Sequence, residues 1–318
     1  MQSAPLYKVY NQSCIDGMRE HVLDNSIDLV FTDPPYGIDG DGLDVHYHRD
    51  ESNVVQGYVD VPLNQYAQFS QDWITECARV LRPGGSIYIV SGYSNLHHIL
   101  NALHATELEE VNHIIAKYSF GVSTKHKFVS SHYHVLFWAK PDKGRHKRTF
   151  NSNYKYTDQK DSYHDRLSVQ DMPRAHNPGV TKNKNQLNED FIEKFIMYSS
   201  NRGDTVLDCF GGGLTTARTA LRWGRKFVGF ELNTHAYEAF VPTLDQVEQL
   251  PDPVPASPDD KELAKRNKMR EGWRKDRAKR KALAANPLFE ESTPVQEPAP
   301  LPPIPWAMSG ALPIKFTR

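Results

Sequence analysis

Short apolar runs alternate with amphipathic stretches from the N-terminus to about Gln249. The runs predict strands, at Ile27 to Thr32, Ser86 to Val90, His113 to Tyr118, Val135 to Ala139, Thr205 to Cys209 and Phe227 to Glu231. Apolar residues at three- and four-residue spacing predict helices over Tyr66 to Leu81 and Asp190 to Ser199. This alternation predicts an α/β fold with a mainly parallel, doubly wound sheet.

Two segments depart from this alternation. Residues of about 140 to 180 are polar and rich in Tyr, His, Lys and Arg, which is typical of a functional insertion in a compact domain. Residues 250 to 318 are proline-rich around a basic stretch, Lys261 to Ala285. We therefore expect a catalytic domain over residues 1 to 249 and a flexible tail over 250 to 318. The tail is interpreted either as a nucleic-acid contact or as a solvated helix.

Composition narrows the class of protein. The chain has 318 residues, of which 39% are hydrophobic, and its formal net charge is −1. No apolar run approaches the roughly 18 residues of a membrane span, and the N-terminus lacks an apolar signal region, so a cytoplasmic protein without a membrane partner is predicted. The cysteines, Cys14, Cys77 and Cys209, stand far apart, and the histidines lack metal-ligand spacing. Neither a disulfide framework nor a metal site is expected.

The stretch SIDLVFTDPPYGI ends a predicted strand on Asp33, Pro34, Pro35 and Tyr36. The prolines fix φ and remove backbone donors, so the carbonyls of this turn are held in place. Taken alone, this stretch is better interpreted as a proline turn after a strand.

A second stretch, GDTVLDCFGGGLTTARTALRWGRKFVGFELN, runs from a strand through Gly211, Gly212 and Gly213 into a helix, and then into a strand that ends at Glu231. Glycines at a strand-to-helix turn let a ligand approach the backbone, and an acid at the end of the next strand suits the hydroxyls of a ribose. The stretch matches neither GxGxxG nor a P-loop. It predicts half of a nucleotide-binding unit.

Together the two stretches resemble the DNA amino-methyltransferases that use S-adenosylmethionine. DPPY resembles their catalytic motif, and DCFGGG resembles a variant of their cofactor loop. The catalytic motif comes first, which is the circularly permuted order of the β class. Glutamine and ribosomal-protein methyltransferases that share an NPPY motif place the cofactor loop first, which argues against a protein substrate. The resemblance implies a Rossmann-like methyltransferase fold and S-adenosyl-L-methionine as the cofactor.

The resemblance also implies roles for single residues. Asp33 and the Pro34 carbonyl would accept the hydrogens of the target amine, and Tyr36 would stack on a base flipped out of the duplex. The implied cofactor contacts are Ser13, Cys14, Asp33, Asn183, Gln186, Asp208, Phe210, Gly211, Gly212, Gly213, Thr215 and Glu231. Thr215 is expected to cap its helix. Leu214 stands where the family has a glycine, and only Gln186 survives from the family's HPTQKP segment.

In the β class, target recognition lies between the two motifs, which implies that residues 140 to 180 contact double-stranded DNA. The candidate DNA contacts are Lys143, Arg145, Lys147, Arg148, Arg166 and Arg174, with Asn151 and Asn153 as further readers of base edges. The loop Asp39 to Val61 is a second candidate. Both segments could instead be solvated loops.

The resulting hypothesis is a site-specific DNA methyltransferase acting on the N6 amine of adenine, because DPPY begins with Asp, whereas cytosine-N4 enzymes more often have Ser there. Three alternatives stay open: a cytosine-N4 enzyme, a catalytically silent DNA-binding subunit, and an RNA methyltransferase. A homodimer and a cognate restriction endonuclease of a restriction-modification system are further partners that the resemblance allows. A C5-cytosine enzyme is disfavoured, because the sequence has no Pro-Cys nucleophile.

Overall fold

A computed structural model describes residues 6–37, 60–119, 125–126, 128–142, 144, 147–155, 159–172, 186–252 and 275. The chain divides into two units, Met1–Ser257 and Pro258–Arg318. The described residues belong to the first unit, apart from Lys275. The basic stretch predicted to contact nucleic acid therefore lies outside the described residues, with that one exception.

The described strands of the first unit form one eight-stranded sheet of order β1-β8-β7-β2-β3-β5-β4-β6. Its strands are β1 (Tyr7–Tyr10), β2 (Ile27–Thr32), β3 (Leu81–Ser91), β4 (Glu109–Lys117), β5 (His132–Ala139), β6 (Val169–Asp171), β7 (Thr205–Asp208) and β8 (Lys226–Phe230). The helices are α1 (Cys14–His21), α2 (Leu63–Val80), α3 (Leu96–His104), α4 (Gln159–Asp165), α5 (Glu189–Ser199), α6 (Thr215–Arg222) and α7 (Thr234–Phe240), followed by a 3-10 helix (Val241–Gln246).

Most strand pairs are parallel. Among the described strands, only β5 runs antiparallel to its neighbours, β3 and β4. Helices cover both faces of the sheet, since one core cluster includes Met18 of α1 and Trp73 of α2, while the other includes Phe195 of α5 and Ala217 of α6. The predicted α/β class and the doubly wound, mainly parallel sheet are confirmed.

The adjacent strands β7 and β2 decide where the site lies. β2 pairs in parallel with β7, with Leu29 opposite Val206 and Val30 opposite Leu207. From β2 the sheet continues through β3, and from β7 it continues through β8 on the other side. Ligands of open α/β sheets bind where the strand order diverges in this way, at the carboxyl ends of the strands. The DPPY turn follows β2 and the glycine loop follows β7, so the fold brings both motifs to this crevice.

The predicted insertion contains folded parts. It includes α4 and also β6, which pairs with β4 through Ile115 and Val169. The Asn151 side chain donates to the carbonyls of Met197 and Ser200, each at 3.0 Å. Asn151, which is expected to read base edges, thus uses its amide nitrogen inside the fold.

Candidate active site

The turn after β2 is held by side chains from other elements. The Tyr66 hydroxyl of α2 donates to the Pro35 carbonyl at 2.8 Å. Asn95 Nδ2 donates to the carbonyls of Tyr36 at 2.6 Å and Gly37 at 3.2 Å. No described group donates to the Pro34 carbonyl. The carbonyls of Pro35, Tyr36 and Gly37 therefore all have donors within the protein. The Pro34 carbonyl, which comes before them, is left as an acceptor for a ligand.

Asp33 begins this turn. Its Oδ1 accepts a hydrogen bond of 2.8 Å from the Tyr36 hydroxyl, and no described group donates to Oδ2. Burial raises the pKa of Asp33 to about 7, although the Tyr36 bond acts in the opposite direction, and the neighbouring carboxylate of Asp208 raises it further. Asp33 thus presents an acceptor beside the Pro34 carbonyl whose protonation state changes near neutral pH.

Asp208 ends β7 and is fully engaged inside the protein. Its carboxylate accepts from the Thr32 hydroxyl at 2.8 Å and from the Phe210 N–H at 3.1 Å. The Thr216 hydroxyl of α6 donates to it as well, yet burial raises the pKa of Asp208 to about 7. Asp208 joins the ends of β2 and β7 to the first turn of α6, so it shapes the cofactor loop from within.

The glycine loop turns through two left-handed residues, Gly212 at φ 51° and Leu214 at φ 52°. A left-handed leucine is strained, because its Cβ crowds the backbone. The Leu214 side chain is completely buried, and a Cβ on Gly211 would lie 2.8 Å from it. The departure from the family's glycine therefore keeps the backbone geometry that a glycine would have and adds a leucine to the core.

Thr215 is the first residue of α6, and Leu214 takes the N-cap position. The expectation that Thr215 caps the helix is wrong. Its hydroxyl instead accepts from Arg218, whose other guanidinium nitrogen donates to the Gly213 carbonyl at 2.6 Å. Arg218 thereby fixes the end of the glycine loop against its own helix.

Glu231 lies across from the glycine loop, as the sequence predicts. One carboxylate oxygen accepts from the Gly212 N–H, and the other accepts from the Asn233 N–H at 2.7 Å. Burial raises the pKa of Glu231, although these backbone donors act in the opposite direction. Because each carboxylate oxygen can accept more than one hydrogen bond, Glu231 retains capacity for the hydroxyls of a ribose.

Phe210 lies between the glycine loop and α2. Its ring centroid is 5.8 Å from that of Phe69 and 5.3 Å from that of Trp73. This aromatic group forms an apolar wall beside the loop, which suits the predicted contact with an adenine ring.

The lead-in residues reach the same region. Ser13 is the N-cap of α1, but its hydroxyl makes no capping bond. Cys14 follows it, is buried, and contacts the thiol of Cys209. Cys209 Sγ also lies 3.4 Å from Cys77 Sγ. Three cysteines that are distant in the sequence are thus gathered, as free thiols, under the cofactor loop.

The remaining predicted contacts are only partly described. Gln186 is partly buried just before α5, whereas Asn183, Lys143, Arg145 and Arg174 lie outside the described residues, as does most of the loop Asp39 to Val61. Lys147 and Arg166 are exposed. The Arg148 guanidinium lies 5.1 Å from the centre of the Phe137 ring, so part of its role is packing.

The sequence reasoning did not find Tyr66, Asn95, Thr32 or Thr216. Each of them donates a hydrogen bond to a residue of one of the two motifs, either from a distant part of the chain or, for Thr216, from the next helix. A single sequence carries no signal for such contacts. The sequence shows hydroxyl residues at the end of β2 and in the first turn of α6, and it predicts Asp208 as a cofactor contact, but it does not show that these hydroxyls donate to Asp208.

Within the residues that the structure covers, no group of three or more possible ligand side chains could hold a metal ion. Among the helices described, none has the length and apolar character needed to cross a membrane.

An open α/β sheet with a glycine loop, a ribose-type acid and a proline-rich acceptor turn at its switch point defines a nucleotide-cofactor methyltransferase site. A family model described as DNA methylase, of the N6/N4 type, matches residues 27–242. The chain belongs to this family of S-adenosylmethionine-dependent DNA methylases. The predicted family and cofactor are confirmed.

Two Type II methyltransferases illustrate the relationship. M.HpaI of Haemophilus parainfluenzae is 32% identical over 236 residues, which covers 70% of this chain and 69% of M.HpaI. M.BamHI of Bacillus amyloliquefaciens is 29% identical over 249 residues, which covers 71% of this chain but 55% of M.BamHI. The chain thus matches little more than half of the length of M.BamHI.

Solved structures share the fold. A DNA modification methylase from Thermus thermophilus, complexed with S-adenosyl-L-methionine, has a TM-score of 0.57 at 20% identity, covering 80% of this chain and 100% of its own. The PvuII DNA methyltransferase, which is cytosine-N4-specific, has a TM-score of 0.54 at 15% identity, covering 80% of this chain and 99% of its own.

Proposed function

We propose that this protein transfers a methyl group from S-adenosylmethionine to the exocyclic N6 amine of adenine in double-stranded DNA, at a specific site. The carrying observation is the pair of adjacent acceptors at the switch point, Asp33 Oδ2 and the Pro34 carbonyl, to which no described group donates. An exocyclic amine has two hydrogens, and two fixed acceptors match them.

The cofactor residues fit the proposed methyl donor. The glycine loop exposes backbone at Gly212, Glu231 holds spare acceptor capacity, and Phe210 offers an aromatic wall. When bound, the cofactor supplies an electrophilic methyl group on a sulfonium sulfur. In the transfer, the amine nitrogen bonds to the methyl carbon as the carbon–sulfur bond breaks, and one amine proton leaves.

The residues of the DPPY turn act on the amine. The lone pair of an aromatic amine is delocalised into the ring, so acceptors that hold its hydrogens make that lone pair more available. Asp33 and the Pro34 carbonyl are proposed to do this, and ionised Asp33 can take the released proton. Tyr36 is proposed to stack on the target base, which must leave the duplex to reach the cofactor.

Cytosine N4 is the second candidate target. It is favoured by the likeness in fold to the cytosine-N4-specific PvuII enzyme, whereas Asp33 at the head of DPPY favours adenine. Both targets present the same kind of amine. The two acceptors of the DPPY turn can hold either amine, so beyond the preference indicated by Asp33 the choice depends on the pocket around the base.

The test uses the purified full chain, unmethylated genomic DNA and methyl-labelled S-adenosylmethionine, followed by nucleoside mass spectrometry. We expect labelled N6-methyladenine that disappears in Asp33→Ala and persists in Asp190→Ala, a change at an exposed carboxylate of α5. Labelled N4-methylcytosine in place of N6-methyladenine would instead support the second candidate target, the N4 amine of cytosine. No labelled nucleoside, from protein that binds the cofactor in calorimetry, would contradict the proposal, and protein that does not bind it would favour a silent DNA-binding subunit.

A further inference from the structure

Most of the hydrogen bonds that fix the backbone of the DPPY turn come from residues outside it. Tyr36 and Asp33 bond to each other within it, but the three carbonyls from Pro35 to Gly37 are bonded by Tyr66 and Asn95. Neither residue belongs to the DPPY motif, and they lie 31 and 59 positions from the residues they bind.

Asn95 is the N-cap of α3, yet its side chain makes no capping bond. An asparagine at this position ordinarily satisfies helix N–H groups, a contribution of about 1 kcal/mol. In this protein Asn95 is 8% exposed, its side-chain oxygen caps no helix N–H, and its Nδ2 donates to the Tyr36 and Gly37 carbonyls. The helix start forgoes a common stabilising bond while the catalytic turn gains two.

Tyr66 is fully buried near the start of α2, and its hydroxyl is directed at the Pro35 carbonyl. A Tyr hydroxyl that is buried needs a partner, and the carbonyl of the catalytic turn is one. The ring also packs against Phe69 and His98. The apolar part of Tyr66 therefore belongs to the core, whereas its hydroxyl serves the motif.

Gly37 packs tightly against both Tyr66 and Asn95. It has φ +62°, and a Cβ added there would lie 2.6 Å from the Tyr66 ring and 3.1 Å from Asn95 Nδ2. Its N–H donates to Asp60 Oδ1 at 2.8 Å. The turn is thus packed directly against the two side chains that bond to it, so displacement of either one shifts the backbone.

We propose that Tyr66 and Asn95 are positioning residues for methyl transfer, which hold the DPPY backbone so that the Pro34 carbonyl and the Asp33 carboxylate face the target amine together. The inference rests on the proposed function. The side-chain hydrogen bonds described for both residues go to the turn after β2. Their loss should therefore slow the transfer step and leave cofactor binding intact.

The test compares Tyr66→Phe and Asn95→Ala with two matched controls. Tyr7→Phe removes a tyrosine hydroxyl that bonds Asp245 from the edge strand β1, and Asn101→Ala changes an exposed asparagine of α3. Single-turnover methyl transfer to DNA should fall about 10- to 100-fold in the two test variants, because misplacement of reacting groups by about 1 Å costs rates of this order. The Kd for S-adenosylmethionine should change by less than about twofold, and the controls should match the wild type.

Asn95→Asp separates hydrogen-bond donation from packing. It keeps the shape of the side chain but places an acceptor against two carbonyls, so it should be at least as slow as Asn95→Ala. Variants that keep wild-type transfer rates, that lose cofactor affinity in parallel with rate, or an Asn95→Asp protein with normal activity would overturn the inference. If the wild type and controls transfer no methyl group, the proposed function fails and the inference falls with it.

Discussion

At the scale of single residues, two carboxylates, a half-buried one at Asp33 and a buried one at Asp208, meet where the catalytic turn and the cofactor loop leave the sheet. Burial raises the pKa of both Asp33 and Asp208 to about 7. They differ in their partners, because Asp208 accepts from three protein donors while Asp33 accepts from Tyr36 alone among the described residues. One acid is committed to structure, and the other retains an acceptor for chemistry.

The pH dependence of methyl transfer follows from Asp33. Protonation converts its free oxygen from an acceptor into a donor, so the single-turnover rate should rise with pH through about 7 and level off above it. The Tyr36 hydrogen bond lowers this pKa, and therefore Tyr36→Phe should move the midpoint to higher pH. Rates measured from about pH 5.5 to about pH 8.5, with Tyr7→Phe as the control, check both statements. A flat profile would contradict the role of Asp33 as an acceptor.

Leu214 combines a backbone conformation that favours glycine with a side-chain site that favours leucine. Both Leu214→Ala and Leu214→Gly should destabilise the protein, since each leaves a cavity that costs about 2 to 5 kcal/mol. The loss of unfolding free energy should be about 1 kcal/mol smaller for Leu214→Gly than for Leu214→Ala, because glycine tolerates the left-handed region. Urea unfolding of the two variants measures this order, which is the reverse of the order inside a helix. An alanine variant as stable as the glycine variant would show that the loop relaxes.

At the scale of elements, the strands with strong apolar runs were predictable. β2 has the predicted bounds, and the other predicted strands overlap observed ones with shifts at their ends. β1 and β6 were missed, because four and three residues give too short a pattern. Their strand form depends on partners, since β1 pairs with β8 and β6 pairs with β4.

The site was predictable to the extent that its residues form local motifs. Asp33, Phe210 and Glu231 lie at strand ends that the sequence identifies, and the adjacency of β2 and β7 brings them to one crevice. Tyr66 and Asn95 could not be found in this way, because their partners are fixed by how α2 and α3 pack. The bonds of Asn151 to the end of α5 could not be predicted for the same reason.

Substitution of Asn151 tests whether its hydrogen bonds hold the predicted recognition segment against the core. Asn151→Ala removes bonds to the end of α5 and takes the side-chain donor away from the buried Met197 carbonyl, whereas the Ser200 carbonyl keeps Arg225, so it should destabilise the protein by about 1 to 3 kcal/mol. Asn153→Ala, at an exposed position, should have an effect within about 0.5 kcal/mol. Thermal unfolding measures stability, and methylation of defined duplexes should show unchanged site preference for Asn151→Ala. Altered preference without lost stability would restore its role as a base reader.

At the scale of the whole molecule, the first unit is closed by residues beyond the predicted domain end. Arg225 is 1% exposed and donates to Asp252 Oδ1 at 2.9 Å and to the Ser200 carbonyl at 2.8 Å. The Leu250 N–H donates to the Arg222 carbonyl. The boundary predicted at Gln249 therefore falls before the last contacts of this unit, which extends to Ser257.

Two truncated chains test this closure. A chain ending at Gln249 loses Asp252, the carboxylate that pairs with the buried Arg225 guanidinium, and should be less stable than a chain ending at Ser257 by about 1 to 3 kcal/mol. With Arg225→Met in both chains, the difference between their free energies of unfolding should narrow, because the shorter chain then leaves no buried charge unpaired. Denaturant unfolding of these chains gives the comparison, and equal stability of the two truncated chains would show that Asp252 contributes nothing.

The chain ending at Ser257 also tests the basic segment without disturbing the first unit. If Lys261 to Ala285 contacts DNA, its removal should weaken binding and flatten the dependence of the binding constant on salt. Binding to a duplex measured from about 50 to about 200 mM salt provides the slope. An unchanged slope would favour the solvated-helix interpretation.

The reactivity of the three thiols under the cofactor loop can report local opening of the protein. Cys14, Cys77 and Cys209 come from three separate parts of the chain and are all buried, so a thiol reagent can reach them only when α1, α2 and the loop after β7 separate. The labelling rate would thus measure how often the cofactor crevice opens. A ligand that bridges these segments should slow the labelling, which provides a binding assay independent of DNA and of catalysis.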